Sequence, residues 1–163
     1  MTEDIELFEE YFQKNKSYYS GKLEKYKSGQ RFSFNVFAFF FGVFRFLYRK
    51  MYVEAIIIIF ALILEGFLES IILTNKFEQD QSAIVNILGT IIIWSIIGFL
   101  GNYFYLRKAE KTIKYAKQNY SNNELLKKYL KKKGGVSFVF LLVIIVVIIS
   151  FFVYNNYLVN YGN

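Results

Sequence analysis

Three long apolar stretches alternate with charged segments along the chain, at residues 53–74, 83–106 and 136–154. None of them shows the regular polar positions of a helix with one face in water. Each is long enough to cross the hydrocarbon core of a bilayer, which takes about 20 helical residues. β-Branched residues are frequent in these stretches, but their length favours helices over strands, and a helix closes its backbone hydrogen bonds within itself in lipid. The pattern predicts three transmembrane helices.

A fourth apolar segment is shorter and strongly aromatic. It lies within residues 32–52, where 34–48 read FNVFAFFFGVFRFLY and are followed by a basic pair. Because about 20 residues are needed for a span, this run is too short to cross. Arg45 within it is long enough to extend its charge toward lipid headgroups. We therefore predict an interfacial or re-entrant helix.

The remaining segments are polar. Residues 1–31 are predicted to form an amphipathic arm, with Ile5, Phe8 and Phe12 on one helical face. In residues 107–135 the second span is expected to continue as a helix, break at 119–123 and restart behind a capping box made by Ser121 and Glu124. This basic segment is a predicted helical hairpin.

The distribution of cations sets the orientation. Ten of the 20 lysines and arginines lie in 107–135, whereas the loop 75–82 contains only Lys76. Because cationic segments stay in the cytoplasm, the arm and the hairpin are predicted inside, and the loop 75–82 and the tail 155–163 outside.

Composition narrows the function classes. The chain is 55% hydrophobic and contains no Cys, His or Pro. Thiol and imidazole chemistry and Cys or His metal sites are excluded, so we expect a non-enzyme without cofactor or metal. The net charge of +7 favours anionic lipid headgroups over nucleic acid, since no nucleic-acid reader motif accompanies it. The cations expected to face headgroups are Arg45, Arg49, Lys50, Arg107, Lys108, Lys131, Lys132 and Lys133.

Three carboxylates share one stripe of the first predicted span: Glu54, Glu65 and Glu69. Glu65 lies about 16 Å along the axis from Glu54, near the middle of the membrane, where a charge is costly. The stripe is either a proton or cation pathway or a set of protonated side chains bonded to the second span. Polar partners expected there are Asn86, Thr90 and Tyr105, and Gly98 and Gly101 allow close helix contact.

The residues 34–52, FNVFAFFFGVFRFLYRKMY, resemble a motif of a family of small bacterial inner-membrane proteins of unknown function. The blocks GNYFYLRKAEKTI at 101–113 and LLKKYLKKKGGVS at 125–137 follow in the family's order. The chain departs from the motif at Val36 and Arg45, where Trp is usual, and at Val43, where Pro is usual. The resemblance implies a bacterial cytoplasmic membrane and supplies no activity.

Two functions are compatible with these features. The first is a small non-catalytic accessory or protein-interaction protein, whose partners are anionic lipid and either another membrane protein or a second copy of itself. The alternative is an oligomeric proton- or cation-linked transport component that uses the glutamate stripe.

Overall fold

The chain consists of helices joined by short loops, without strands, in the part that the computed structural model describes, which is residues 2–76 and 79–161. The side chains of 2–3, 69, 72–76, 79–85, 140 and 158–161 lie outside that description. In this described part the order is α1 (Thr2–Phe12), α2 (Lys16–Lys27), α3 (Val36–Tyr48), α4 (Tyr52–Lys76), α5 (Gln79–Asn119), α6 (Asn123–Lys133) and α7 (Val139–Tyr161). The all-helical prediction is confirmed for these residues.

The longest element is α5, with 41 residues. At 1.5 Å per residue it extends over about 60 Å, roughly twice the thickness of a hydrocarbon core. Its segment Asn86–Asn119 is long and apolar enough to cross a membrane, and 22% of the most apolar window is buried, so most of that surface faces outward. Among the described residues it is the one helix that meets this criterion, and the other two spans stay predictions. The predicted continuation of the second span into the charged segment is confirmed.

A group of short helices surrounds the charged end of α5. α1 contacts α2, α5 and α6, and α2 and α6 both contact α5. The buried face of α1 consists of Leu7, Phe8, Tyr11 and Phe12, whereas Ile5, predicted on that face, is 42% exposed. Burial of these four side chains is what holds α1 against the rest of the molecule.

The predicted arm contains two helices, α1 and α2. Gln13 and Asn15 have φ of 54° and 60° and separate α1 from α2. A left-handed residue ends a helix, and Asn tolerates that conformation better than most residues. The start of α6 also differs from expectation, because Asn122 rather than Ser121 is the cap and accepts from the backbone N–H of Glu124 and Leu125. Asn is among the best residues for this role.

The aromatic helix α3 bends sharply at Gly42, which has φ of 43° and ψ of −118°. Its contacts along α5 show the course: the N–H of Asn35 bonds to the carbonyl of Gly98, Gly42 lies against Trp94, and Arg45 returns to Gly101. The segment therefore runs toward the first half of α5 and comes back. The interfacial or re-entrant placement of this segment in a membrane stays a prediction. Gly98 and Gly101 do allow close contact, since a Cβ there would collide with Phe34 and Ala38, but the partner is the aromatic segment and not the first predicted span.

The segment that precedes α7 is bonded to the end of α3 and to the first residue of α4. The N–H of Ser137 bonds to the carbonyl of Tyr48, and the hydroxyl of Tyr52 bonds to Oγ of Ser137. α4 packs against α3 and α5, while α7 packs against α3 and has no contact with α4 or α5 in the described residues. α7 is longer than predicted, because residues 155–161, expected as an external tail, continue its helix.

Candidate functional site

The structure describes part of the glutamate stripe. Oε2 of Glu54 lies 3.7 Å from Nζ of Lys108 and Glu65 is half-buried, while the side chain of Glu69 lies outside the described residues. Asn86 and Thr90 are exposed. Their pairing with the stripe stays a prediction.

The predicted headgroup-facing cations fall into two groups. Arg107, Lys132 and Lys133 are exposed. Others bind protein atoms: Lys50 donates to the carbonyl of Lys132, Lys108 donates to the carbonyl of Lys50, and Lys131 pairs with Glu10 at 3.3 Å. Further pairs join α1 to Lys117 and Lys127 through Asp4 and Glu6. Three of the ten cations of the basic hairpin are thus paired with carboxylates of α1.

Arg45 and Arg49 are buried, whereas the sequence predicted them on the surface facing headgroups. Each is 2% exposed. The physical reason is their spacing: residues four apart share one helical face, and here that face is covered by α1, α2 and α5.

Arg45 is bound by α5. Its Nη1 donates to the carbonyl of Gly101 at 3.1 Å, and its Nη2 donates to Oδ1 of Asn102 at 3.2 Å and to the hydroxyl of Tyr19 at 3.4 Å. The absence of a side chain at Gly101 lets the guanidinium reach the backbone.

Asn102 and Asn35 extend this network. Nδ2 of Asn35 donates to Oδ1 of Asn102 at 2.6 Å, and Nδ2 of Asn102 donates to the hydroxyl of Tyr18 and to Ser33. Oδ1 of Asn35 also accepts from the N–H of Ala38, which caps α3. The entry of α3 is therefore fixed to α5 by buried amides, which strongly favour being hydrogen-bonded.

Arg49 joins α3 to the end of α1. It donates to the carbonyls of Phe12 and Lys14, both at 3.0 Å, and to the hydroxyl of Tyr105 at 3.3 Å. Its Cζ lies 4.5 Å from the ring centre of Tyr19 and 5.1 Å from that of Tyr105. The cation thus satisfies carbonyls left open at a helix C-terminus, where the helix dipole favours positive charge, and it lies against two aromatic faces. Tyr105, predicted beside the glutamates, belongs to this group instead.

Neither guanidinium has a carboxylate partner among the described residues. The ion pairs of the described residues join other side chains, and every hydrogen bond of Arg45 and Arg49 ends on a neutral carbonyl, amide or phenol oxygen. Buried charges are normally paired, because desolvation is costly. Two positive charges that lie close together without a negative partner favour the binding of an anion.

A cavity of about 500 Å³ opens beside this cluster. Its inner part is lined by Arg45, Arg49, Tyr19 and Asn35. Lys22 on α2 adds a third cation. The remaining lining residues are Asn15, Tyr18, Phe34, Val36, Phe37 and Tyr48. We refer to it as the arginine cavity.

Burial also affects Tyr11, which lies on α1 against Tyr105, with ring centres 5.8 Å apart. Burial raises the pKa of Tyr11 to about 12, because the phenolate would be poorly solvated there. Its hydroxyl has no hydrogen-bond partner among the described residues. It is a packing residue at neutral pH.

The arginine cavity was not found by sequence reasoning. The one local signal is a pair of arginines four residues apart inside an aromatic run, which places both on the same face as Ala38 and Gly42. Asn102, Tyr18 and Tyr19 come from distant segments. Only packing of α2 and α5 on α3 brings them together.

A protein-family model described as a protein of unknown function (DUF2628) matches residues 6–111, well over half of the 163 residues. The chain belongs to this family. All residues of the arginine cavity lie within the matched region, as do Asn102 and Tyr105, whereas α6 and α7 lie beyond it. Among curated proteins and among solved structures, no match to the chain was found.

Proposed function

We propose that this member of the family is a small, non-catalytic integral membrane protein that acts by interacting with another membrane protein. The observation that carries the proposal is the placement of exposed apolar side chains. Large hydrophobic residues with about half or more of their surface exposed follow one another through α4, the first half of α5 and α7. A protein in water rarely exposes a contiguous surface of this kind, whereas hydrocarbon solvates it.

In this arrangement the apolar segments of α4, α5 and α7 cross the bilayer and α3 re-enters it from one side. The short helices and the charged end of α5 then lie in the cytoplasm of a bacterial cell, under the inner membrane. Of the 20 lysines and arginines, Lys76 is the one that falls on the outer side, in agreement with the preference of cations for the cytoplasm. The C-terminus is external.

A role in protein interaction is supported by the isolation of α7. It contacts α3 near its start and has neither α4 nor α5 as a neighbour in the described residues. Val146 and Ile149 on this helix are 61% and 56% exposed. Helices that cross membranes associate by close packing, so this surface suits another helix, from a different protein or from a second copy.

Photo-crosslinking in native membranes tests the interaction. A photoreactive residue replaces Val146 on α7, and the control position is Leu125 on α6, which is 53% exposed. We expect a discrete protein adduct from Val146 and none from Leu125. Adducts to lipid alone from Val146, repeated at Ile149, would contradict the interaction role.

The transport alternative has weaker support from the geometry. Glu54, the first carboxylate of the stripe, is paired with Lys108 at 3.7 Å. A path would need several copies, because three spans enclose little space. If the stripe conducts, purified protein in liposomes shows a flux that Glu65→Gln abolishes. An equal flux in both proteins would remove Glu65 from any pathway.

A further inference from the structure

The arginine cavity is the feature that the proposed interaction role does not use. Two guanidiniums are buried at its inner end with no carboxylate beside them in the described structure, and Lys22 lies at its wall. Three cations around one cavity attract an anion. Arg also presents a planar fork of N–H donors that matches the oxygens of phosphate.

We propose that the arginine cavity binds the phosphate group of an anionic phospholipid. The phosphate lies against Arg45 and Arg49, with Lys22 closing the outer side. Neutral acceptors bind the Nη atoms of both guanidiniums and hold them in place. The Nε donor of each guanidinium has no partner in the described residues. Preorganised donors of this kind bind an oxyanion without first having to be ordered.

The walls of the cavity favour a lipid over a small anion. Phe34, Val36 and Phe37 form an apolar side, and each is more than a third exposed. A second cavity of about 330 Å³ adjoins the first through the shared residues Phe37 and Tyr48. Its other lining residues, Phe41, Phe44 and Ile144, are apolar. A headgroup in the first cavity would thus have room for an acyl chain in the second.

The position of the arginine cavity along α5 also fits a phospholipid. Phe34 and Asn35 lie beside Gly98, whereas Arg49 lies beside Tyr105, about 10 Å further toward the charged end. The apolar wall is therefore on the side of the apolar segment and the cations are on the side of the charged one. This is the order in which a phospholipid of the cytoplasmic leaflet presents its chains and its phosphate.

The proposal that the bound phosphate group belongs to a lipid rests on the membrane arrangement proposed above. Recognition of a phosphate group does not depend on that arrangement. Binding is measured on the full-length protein in a non-ionic detergent, by native mass spectrometry and by thermal unfolding. The probes are phosphatidylglycerol, phosphatidylcholine and inorganic phosphate. We expect one phosphatidylglycerol per chain, with phosphatidylcholine weaker by about tenfold or more, since it adds a cation next to the phosphate.

Matched variants locate the site. Lys22→Gln removes a cation from the cavity wall, and Lys25→Gln removes an exposed cation from the same helix outside the cavity. We expect Lys22→Gln to weaken phosphatidylglycerol binding about tenfold, the usual effect of losing one charged contact, and Lys25→Gln to leave it unchanged. Neither residue is part of the buried network, so both variants are expected to fold. Arg45→Gln and Arg49→Gln are expected to abolish binding where they fold.

The outcomes separate the possibilities. Saturable binding of inorganic phosphate that Lys22→Gln weakens, without lipid binding, would support the phosphate site and overturn the lipid as its source. Equal binding of the two lipids, or equal effects of the two lysine variants, would overturn the proposal. So would failure of every probe to bind. Membrane association is measured separately by fractionation, so a protein that stays in the membrane but binds no phosphate contradicts only this inference.

Discussion

At the scale of single residues, two cations that the sequence predicted on the surface are buried and hold α3 in place. Arg45 and Arg49 hold α3 against α1, α2 and α5 through backbone carbonyls and aromatic rings. A guanidinium can do this because it keeps its charge at any ordinary pH and donates in several directions at once. Among the described residues, no carboxylate pairs with either guanidinium, and the phosphate proposal rests on this observation.

Replacing Arg49 by lysine tests this supporting role. We expect Arg49→Lys to lower the free energy of unfolding by about 2–4 kcal/mol, because an ammonium cannot reach Phe12, Lys14 and Tyr105 together and leaves buried acceptors unpaired. Arg107→Lys, at an exposed position, is expected to change it by less than about 0.5 kcal/mol. Denaturant unfolding in detergent measures both. Equal effects would show that Arg49 acts only as a charge.

Tyr11 gives a prediction about pH. The unfolded chain ionises this phenol near pH 10, whereas the folded chain keeps it protonated up to about 12. The folded state therefore binds more protons in this window, and its stability falls as the pH rises from 10 to about 12.

The variant Tyr11→Phe removes this dependence. We expect it to change stability by less than about 1 kcal/mol at neutral pH, because the hydroxyl is buried without a hydrogen-bond partner in the described structure. Between pH 9 and 11 the variant is expected to lose less stability than the wild type, by about 1 kcal/mol. If the two proteins lost the same amount of stability between pH 9 and 11, the pH dependence would not come from Tyr11.

At the scale of elements, α3 depends on Gly42. Its positive φ is strained for any residue with a side chain, and an added Cβ would overlap the ring of Trp94. The bend at this position is what returns the chain to α5 at Arg45, so Gly42 determines whether both arginines reach their partners.

We expect Gly42→Ala to destabilise the fold by about 2–4 kcal/mol, through backbone strain and overlap together. The matched control is Gly66→Ala in α4, where nothing lies within 4 Å of the new methyl group. That change is expected to be neutral or to stabilise by up to about 1 kcal/mol, because alanine is the better helix former. Thermal unfolding of both variants in one detergent makes the comparison. A tolerated Gly42→Ala would mean that α3 is not bent as described.

The cap of α6 is a second element-scale prediction. Asn122→Ala removes an acceptor for two backbone N–H groups and is expected to cost about 1 kcal/mol. Ser121→Ala is expected to have no measurable effect, since its side chain is not the cap. Hydrogen exchange of Glu124 and Leu125 reports the difference. The reverse ranking would restore the capping box predicted from the sequence.

At the scale of the whole molecule, α5 connects two chemically different parts. Its first half presents exposed isoleucines such as Ile87 and Ile92, and its second half carries Lys117, which pairs with Asp4 of α1. The arginine cavity lies where the two parts meet.

The proposed orientation is directly testable because the chain contains no cysteine. Gln79→Cys in the loop predicted outside is expected to react with a membrane-impermeant maleimide in intact cells. Lys128→Cys, exposed on α6, is expected to react only after the membrane is opened. Labelling of Lys128→Cys in intact cells would reverse the orientation, and labelling of both would argue against the three predicted spans.

The sequence alone was enough for the helical class and the extension of α5 past its apolar half, because these follow from local patterns: the length of an apolar run and charge at a boundary. It did not reveal the arginine cavity. Whether Arg45 lies on the surface or bonds to Asn102 inside the protein depends on which helices cover that face of α3. Such contacts join residues far apart in the chain, and their free energy exists only once the helices have packed.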